Sequence, residues 1–274
     1  MTRITTPLAA GEFLRKRQYH VVINTGGQNH DNQRKYFIMT TMHEVLDNIG
    51  GALRIAGSLI SQPLTRSHYR RWGATDEEVR RTLPGDERVP NPNITTTMAV
   101  TIHAPASKVW PWMAQIGQER GGLYSYELLE NLARCKIHNA DRIVPEWELK
   151  VGDQMRMGPP GYPVNQVVAL ERERWLLMAG ADFKTGIADP LPEPGQTTYT
   201  NYAWLLYLDE RPDGTTRLIA RTHLAYAPRT FAARMMWEVI TDPLGCTMMR
   251  KMLLTIRSRA EPLNRRPMTQ MTGV

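Results

Sequence analysis

Between Ile94 and His103 apolar and polar residues alternate: Ile94, Thr96, Met98, Val100 and Ile102 share one face, and Thr95, Thr97, Thr101 and His103 the other. A period of two predicts a half-buried strand. A helix is then predicted from Pro105 through VWPWMAQIG, ended by Gly117 and bent at the internal Pro111, whose ring removes a backbone donor and crowds the preceding turn. The loop GQERGG leads into a second helix over 126–135, with Ser125 as its N-cap. Strand patterns follow at 154–157, 164–170, 175–178, 198–208 and 215–225, the last two joined by Arg211-Pro212-Asp213-Gly214 as an antiparallel hairpin. The Pro-rich stretch 184–197 reads as a long loop, a kind of segment that often serves as a lid or binding loop. Residues 229–261 predict a closing helix with a break near 241–243, where Asp242 caps a second segment and Pro243 takes its first position. Met248, Met249, Met252, Leu253 and Ile256 form that helix's apolar stripe. The order β-α-α-β-β-β-β-β-α defines an α+β protein.

Upstream the pattern weakens. Residues 1–38 mix Gly, Asn, Gln and scattered charges without sustained apolar periodicity, so 1–41 is expected to be a poorly ordered extension ahead of Met42. Residues 43–60 form an amphipathic helical pattern, and 61–93 a connector punctuated by Pro63, Pro84, Pro90 and Pro92. Within the connector, Thr75 and Glu78 make a capping-box pattern that opens a short helix over 76–82. The expected organisation is an extension (1–41), a helical segment with connector (42–93), one main domain (94–261) and a tail (262–274).

At 274 residues, with 42% hydrophobic and 22% charged positions, the chain has enough apolar material for a sizeable core, which excludes disorder throughout. Cys135 and Cys246 are the two cysteines and no CxxC pair occurs, so a disulfide scaffold has no basis and a reducing, cytoplasmic setting is the default. The net charge of +7 is concentrated in 1–38 and 229–266, leaving the body near neutral. Without a basic face bearing stacking or groove-reading groups, no nucleic-acid partner is expected. The most apolar run, within 43–60, carries Asp47 and Arg54, so it is read as a helix covering its own domain or lying peripherally on a bilayer surface.

Motifs for common chemistries are missing or broken. GQERGG follows a helix rather than a strand and lacks the Lys-Ser/Thr of a phosphate loop, while His43-Glu44-Val45-Leu46-Asp47 ends in Asp where a zinc helix needs His. No GxSxG is present. Neither metal nor cofactor is expected. His138 and Asp141, with Arg142 and Glu146 nearby, are the candidates for acid–base work at a cleft mouth; the same residues also suit the anchoring of an irregular segment. His223 shares a strand face with Arg217 and Arg221, a face expected to be solvated. Aromatic and Met positions supply either an adaptable apolar pocket or ordinary core.

The words AVTIHAPASKVWPWMAQIG, YSYELLENL, ADRIVPEWELKVGD and MMRKMLLTIRSRAE, in this order of elements, resemble the SRPBCC superfamily, the START-like, polyketide cyclase/dehydrase and lipid-transport group. The resemblance covers about residues 70–261, and its middle words look like an uncharacterised bacterial branch. It implies a helix-grip fold: a curved antiparallel sheet wrapped around a long C-terminal helix, here with an N-terminal helical extension, enclosing an apolar cavity. The CxH…CxxC pattern of the superfamily's Rieske members is missing. Carried onto this chain, the cavity is expected to be bounded by Trp110, Met113, Trp147, Met155, Met157, Trp204, Leu224 and Met235, with Tyr124, Tyr126 and Thr222 as polar contacts. The leading expectation is binding or transport of a small hydrophobic molecule such as a lipid, polyketide or isoprenoid. A cyclase- or dehydratase-type enzyme and a protein-interaction module are the alternatives, and the oligomeric state is left open.

Overall fold

A computed structural model describes residues 45–57, 65–182 and 184–261. The expected extension at 1–41, the ends of the helix expected at 43–60 and the tail at 262–274 lie outside the described residues. In chain order the helices are α1 (45–57), α2 (Arg66–Arg70), α3 (Asp76–Arg80), α4 (Ala106–Ala114), α5 (Glu127–Leu132), α6 (Phe231–Arg234) and α7 (Asp242–Ala260). The strands are β1 (Ile94–Ile102), β2 (Gln154–Arg156), β3 (Val164–Glu171), β4 (Trp175–Ala181), β5 (Tyr199–Glu210) and β6 (Thr216–Ala227). All neighbouring pairs are antiparallel, and the strand order is β1-β6-β5-β4-β3-β2. The expected Arg211–Gly214 turn closes the β5–β6 hairpin, with the Arg211 N–H donating to the Thr215 carbonyl at 2.8 Å.

The sheet wraps α7 as the helix-grip architecture requires. Cys246, Met249, Met252, Leu253 and Ile256 on α7 join Met98, Val100, Ile102, Leu206, Leu218 and Ala220 from the strands in one buried cluster, completed by Val109, Trp110 and Met113 of α4. Of the expected stripe, Met248 alone stays half-buried, because it faces the Ser125 hydroxyl, which donates to its sulfur at 3.2 Å.

Four details depart from expectation. First, β1 is buried on both faces, because the segment carrying α3 packs across the sheet's convex side, where Leu83 meets Ala99, Leu177, Leu205 and Ile219. Arg217 and Arg221, expected in solvent, are 8% and 4% exposed. The Arg217 guanidinium donates to both carboxylate oxygens of Glu78, at 2.6 and 2.9 Å, and Arg221 bonds Asp86 at 2.7 Å and the carbonyls of Arg81 and Glu78. His223 sits beside them, its Nε2 3.7 Å from Asp86. Period two reports that faces alternate, not whether a distant segment covers the polar one.

Second, the chain does not break at 241–243. A π-helical turn, Met235–Thr241, runs directly into α7, and Asp242 has helical dihedrals. A π turn before Pro243 reroutes the ladder where proline supplies no donor, so the helix continues without a cap. The Asp242 carboxylate instead accepts from the Tyr69 hydroxyl and from Arg70, both at 2.9 Å. Third, Tyr126 rather than Ser125 is the N-cap position of α5, and the helix ends at Leu132 instead of 135. Fourth, α3 ends at Arg80 rather than 82, although its capping box forms as read: the Glu78 N–H donates to the Thr75 hydroxyl and the Thr75 N–H to the Glu78 carboxylate.

Candidate functional site

The interior between the concave face and α7 has two chemically different ends. Toward the C-terminal end of α7, Leu253 and Ile256 cover Ile102, Leu206, Leu218 and Val109, all 0% exposed. Toward its N-terminal end the inward strand positions turn polar. The register lines up Met178, Trp204, Thr222 and Thr96 across four strands, with the Cys246 sulfur 3.8 Å from the Thr96 hydroxyl. Alongside lies a second row in which Met155 pairs with Asn165, Asn165 with Gly180, and Tyr202 with Leu224. The two rows are two residues apart on each strand, so they line one surface.

This polar end is incompletely satisfied. Trp204 is 5% exposed, yet its indole N–H has no hydrogen-bond partner. The amide of Asn165, 2% exposed, donates to the thioether sulfur of Met157 at 3.2 Å, a weak acceptor. Tyr202 is half-buried, and desolvation drives its phenol pKa well above the ordinary value. Buried donors without partners are costly, about 1–3 kcal/mol each, and in a native fold call for an explanation such as a bound molecule.

Of the residues expected to line a cavity, Trp110, Met113, Tyr124, Met155 and Trp204 meet in the α7 cluster, with Met157 packed at its edge. The Trp110 indole donates to Glu148 at 3.0 Å. The Tyr124 hydroxyl accepts from Gln115 at 2.7 Å, and burial pushes its pKa up to about 12. Tyr126 is buried beside Gly51 of α1, where a Cβ would come within 2.5 Å of its ring. Thr222 is half-buried in the first polar row, and Leu224 packs in a neighbouring cluster with Ile94 and Tyr226. Trp147 is half-buried on a 3-10 turn, Pro145–Trp147, and Met235 is 37% exposed on the π-helical turn; both stand apart from the rows.

His138 lies at the surface, its Nδ1 3.0 Å from Glu127, whose other oxygen accepts the Asn139 N–H at 3.0 Å. Asp141 is exposed. The candidate that sequence reasoning missed is Glu130. It is 5% exposed and neither carboxylate oxygen is hydrogen-bonded; burial first, and the nearby Glu127 charge second, raise its pKa to about 7. Nothing in ELLENL signals this, because the apolar positions are inverted: Leu128 and Leu132 are 50% and 80% exposed while Glu130 faces in. Among the described residues, no group of three or more His, Cys, Asp or Glu is arranged to hold a metal ion.

No protein-family model matches the chain, and no curated protein matches it by sequence. Among solved structures it is similar to the Polyketide_cyc-like protein Cgl2372 from Corynebacterium glutamicum, at 16% identity over 60% of this chain and 88% of that one, with a TM-score of 0.33. CalU16 from Micromonospora echinospora matches at 15% identity over 61% of this chain and 83% of that one, TM-score 0.26. Ara h 8.0201 matches at 12% identity over 61% and 97%, TM-score 0.34. The class is defined by the chain's own geometry: an α+β helix-grip fold, six antiparallel strands around a 19-residue C-terminal helix. That is the fold which the sequence resemblance implied.

Proposed function

We propose that the protein binds a small hydrophobic molecule in the interior between the concave face and α7. The observation that carries this reading is the unpartnered indole N–H of Trp204, 5% exposed, on the same inward surface as Asn165, whose amide meets the weak acceptor sulfur of Met157. Apolar walls with a few convergent polar groups are the usual composition of a small-molecule site. Met113, Met155, Met157 and Met178 supply adaptable walls, suited to ligands read by shape. Lipids, polyketides and isoprenoids all fit that chemistry. Native mass spectrometry of freshly purified protein, followed by solvent extraction, is the test. A co-purifying apolar molecule lost in Trp204→Ala or in Met155→Trp, which fills the space, is the expected result. Protein that emerges empty and takes up no apolar probe overturns the reading.

A peripheral contact with a bilayer surface through residues 43–60 accompanies this proposal. It is supported by Leu46, Ile49 and Leu53, which are 61%, 51% and 68% exposed on α1 while Asp47 pairs with Lys251 of α7 at 2.5 Å. Among the described residues no helix is long and apolar enough to cross a membrane. Flotation with anionic vesicles tests the contact: Leu46→Glu/Leu53→Glu is expected to abolish flotation, and unchanged flotation refutes it.

A further inference from the structure

Outside the interior, the stretch that leads into α7 carries a row of exposed apolar side chains. Phe231 of α6 is 81% exposed, and Met235, Met236, Ile240 and Leu244 are between 37% and 53%. The i→i+5 bonding of the π turn sets Met235 and Ile240 one turn apart, and Ile240 and Leu244 are one α turn apart, so the row stays on one face. The opposite face is fixed by buried polar groups. Glu238, 6% exposed, accepts from the Tyr226 hydroxyl at 2.7 Å and from Arg229 at 2.9 Å, with Arg66 and Arg234 at 3.5 and 3.6 Å. Trp237 lies against Tyr226, ring centroids 6.2 Å apart, and Asp242 is held by Tyr69 and Arg70. Turning the row inward would pull both carboxylates away from these partners, an expensive loss for buried charges, so the apolar face is held outward.

We propose that this row inserts shallowly into an anionic bilayer surface, as a second element beside α1; the inference extends the α1 contact proposed above and is independent of the cavity. Charge supports that occupant. From 228 to 260 six Lys and Arg stand against two acids, and the two acids are the buried Glu238 and Asp242, so this stretch presents cations and no exposed carboxylate. Arg229 and Arg234, both exposed, flank the row, where their guanidinium groups can meet lipid phosphates. Position supports it as well. Leu244 and Lys251 are two turns apart and share a face of α7, and Lys251 pairs with Asp47 of α1, so the row runs along the side of the domain on which α1 exposes Leu46, Ile49 and Leu53. A second protein is a poorer fit, because five side chains in a line fall far short of the roughly 20–30 residues a side of a stable protein interface.

The test labels the row itself. Cys135 and Cys246 are each 5% exposed, so Ile240→Cys and, in a second chain, Leu53→Cys on α1 take an environment-sensitive nitrobenzoxadiazole label, with the native chain as the labelling control. With phosphatidylcholine–phosphatidylserine vesicles the label at position 240 is expected to shift to the blue and gain intensity. Phe231→Glu/Met236→Glu in the unlabelled chain is expected to lower the partition coefficient at least about tenfold, with an unchanged circular dichroism spectrum because both positions are exposed. Vesicles of phosphatidylcholine alone are expected to bind at least about tenfold more weakly. A response at position 240 without one at 53 supports the row and overturns the α1 contact. A response at 53 without one at 240 overturns this inference and leaves α1 standing, and no response at either overturns both. Dimerisation in sedimentation that Phe231→Glu/Met236→Glu abolishes, without a vesicle response at 240, assigns the row to a second copy of the chain and overturns the inference.

Discussion

Glu130→Gln is expected to stabilise the protein at pH 8 and to leave it unchanged at pH 4. In the folded protein Glu130 is 5% exposed and without a hydrogen-bond partner, and burial with the Glu127 charge raises its pKa from 4.5 to about 7. Below pH 4 the carboxyl is protonated both folded and unfolded, so it makes no difference. Between 4.5 and about 7 the unfolded chain releases the proton while the folded protein keeps it, so stability falls as pH rises. Above about pH 7 the folded carboxylate is charged in a poor environment and the loss is complete. The interval from 4.5 to about 7, at roughly 1.4 kcal/mol per pH unit, amounts to about 3 kcal/mol. Glutamine keeps the shape and never ionises, so the variant regains that amount at high pH. For a domain of this size it corresponds to a rise in Tm on the order of 6–12 °C at pH 8. Paired thermal unfolding curves at pH 4, 6 and 8 read the difference directly, since every other titrating group is common to both proteins. A difference that does not grow with pH, or a variant less stable at pH 8, refutes the argument. So does a 13C-carboxyl titration that places Glu130 below pH 5.

Leu253→Ala, at a position 0% exposed in the grip between α7 and the sheet, is expected to cost about 2–5 kcal/mol in chemical denaturation; a loss under about 1 kcal/mol refutes tight packing there. Arg217→Met strands the Glu78 carboxylate under the convex-side segment and is expected to cost about 3–5 kcal/mol, with Glu78→Leu in the same chain restoring much of it. The convex-side segment is also expected to loosen in acid. Burial alone raises the Glu78 pKa, but the hydrogen bonds from Arg217 and the Thr75 N–H outweigh it and leave the value below 4.5. Its contribution is therefore complete above pH 4.5 and lost as pH falls through the depressed value. Burial lowers the His223 pKa, so the proton that the unfolded chain takes up below about pH 6.5 adds in the same direction. Limited proteolysis within 71–93 should accelerate below pH 4.5; a rate independent of pH, relative to a site elsewhere in the domain, would contradict this.

The legible part of the candidate site was its apolar half. Trp110, Met113, Met155 and Trp204 stand at inward positions of helices and strands whose periodicity is plain, and they meet in one cluster. Asn165, in its polar half, was not legible, because it joins the row of Met155 and Gly180 through strand pairings that no local pattern encodes. Glu130 was hidden for the opposite reason: residue type favours burying leucine over glutamate, whereas the tertiary structure turns Leu128 and Leu132 out and Glu130 in. Trp147 and Met235 were placed by residue type, which states a preference for burial but not which surface is buried against which.

The order of elements, the antiparallel hairpin and the apolar stripe of α7 were determined by the sequence alone, since periodicity, turn chemistry and capping act over a few residues. Thr75 and Glu78 cap α3 as their spacing requires, and Leu253 is buried as its place in the stripe requires. What covers the convex face was decided only in three dimensions. Arg217 and Arg221 read as solvent-facing until a segment 135 to 139 residues earlier in the chain lays Glu78 and Asp86 over them. The same holds for Pro243, which locally signals a helix start and in the protein sits inside one continuous helix behind a π turn. Local rules govern which dihedrals a segment prefers, whereas the partners of a buried charge and the filling of a concave face depend on residues brought together from far apart, and those the tertiary structure alone supplies.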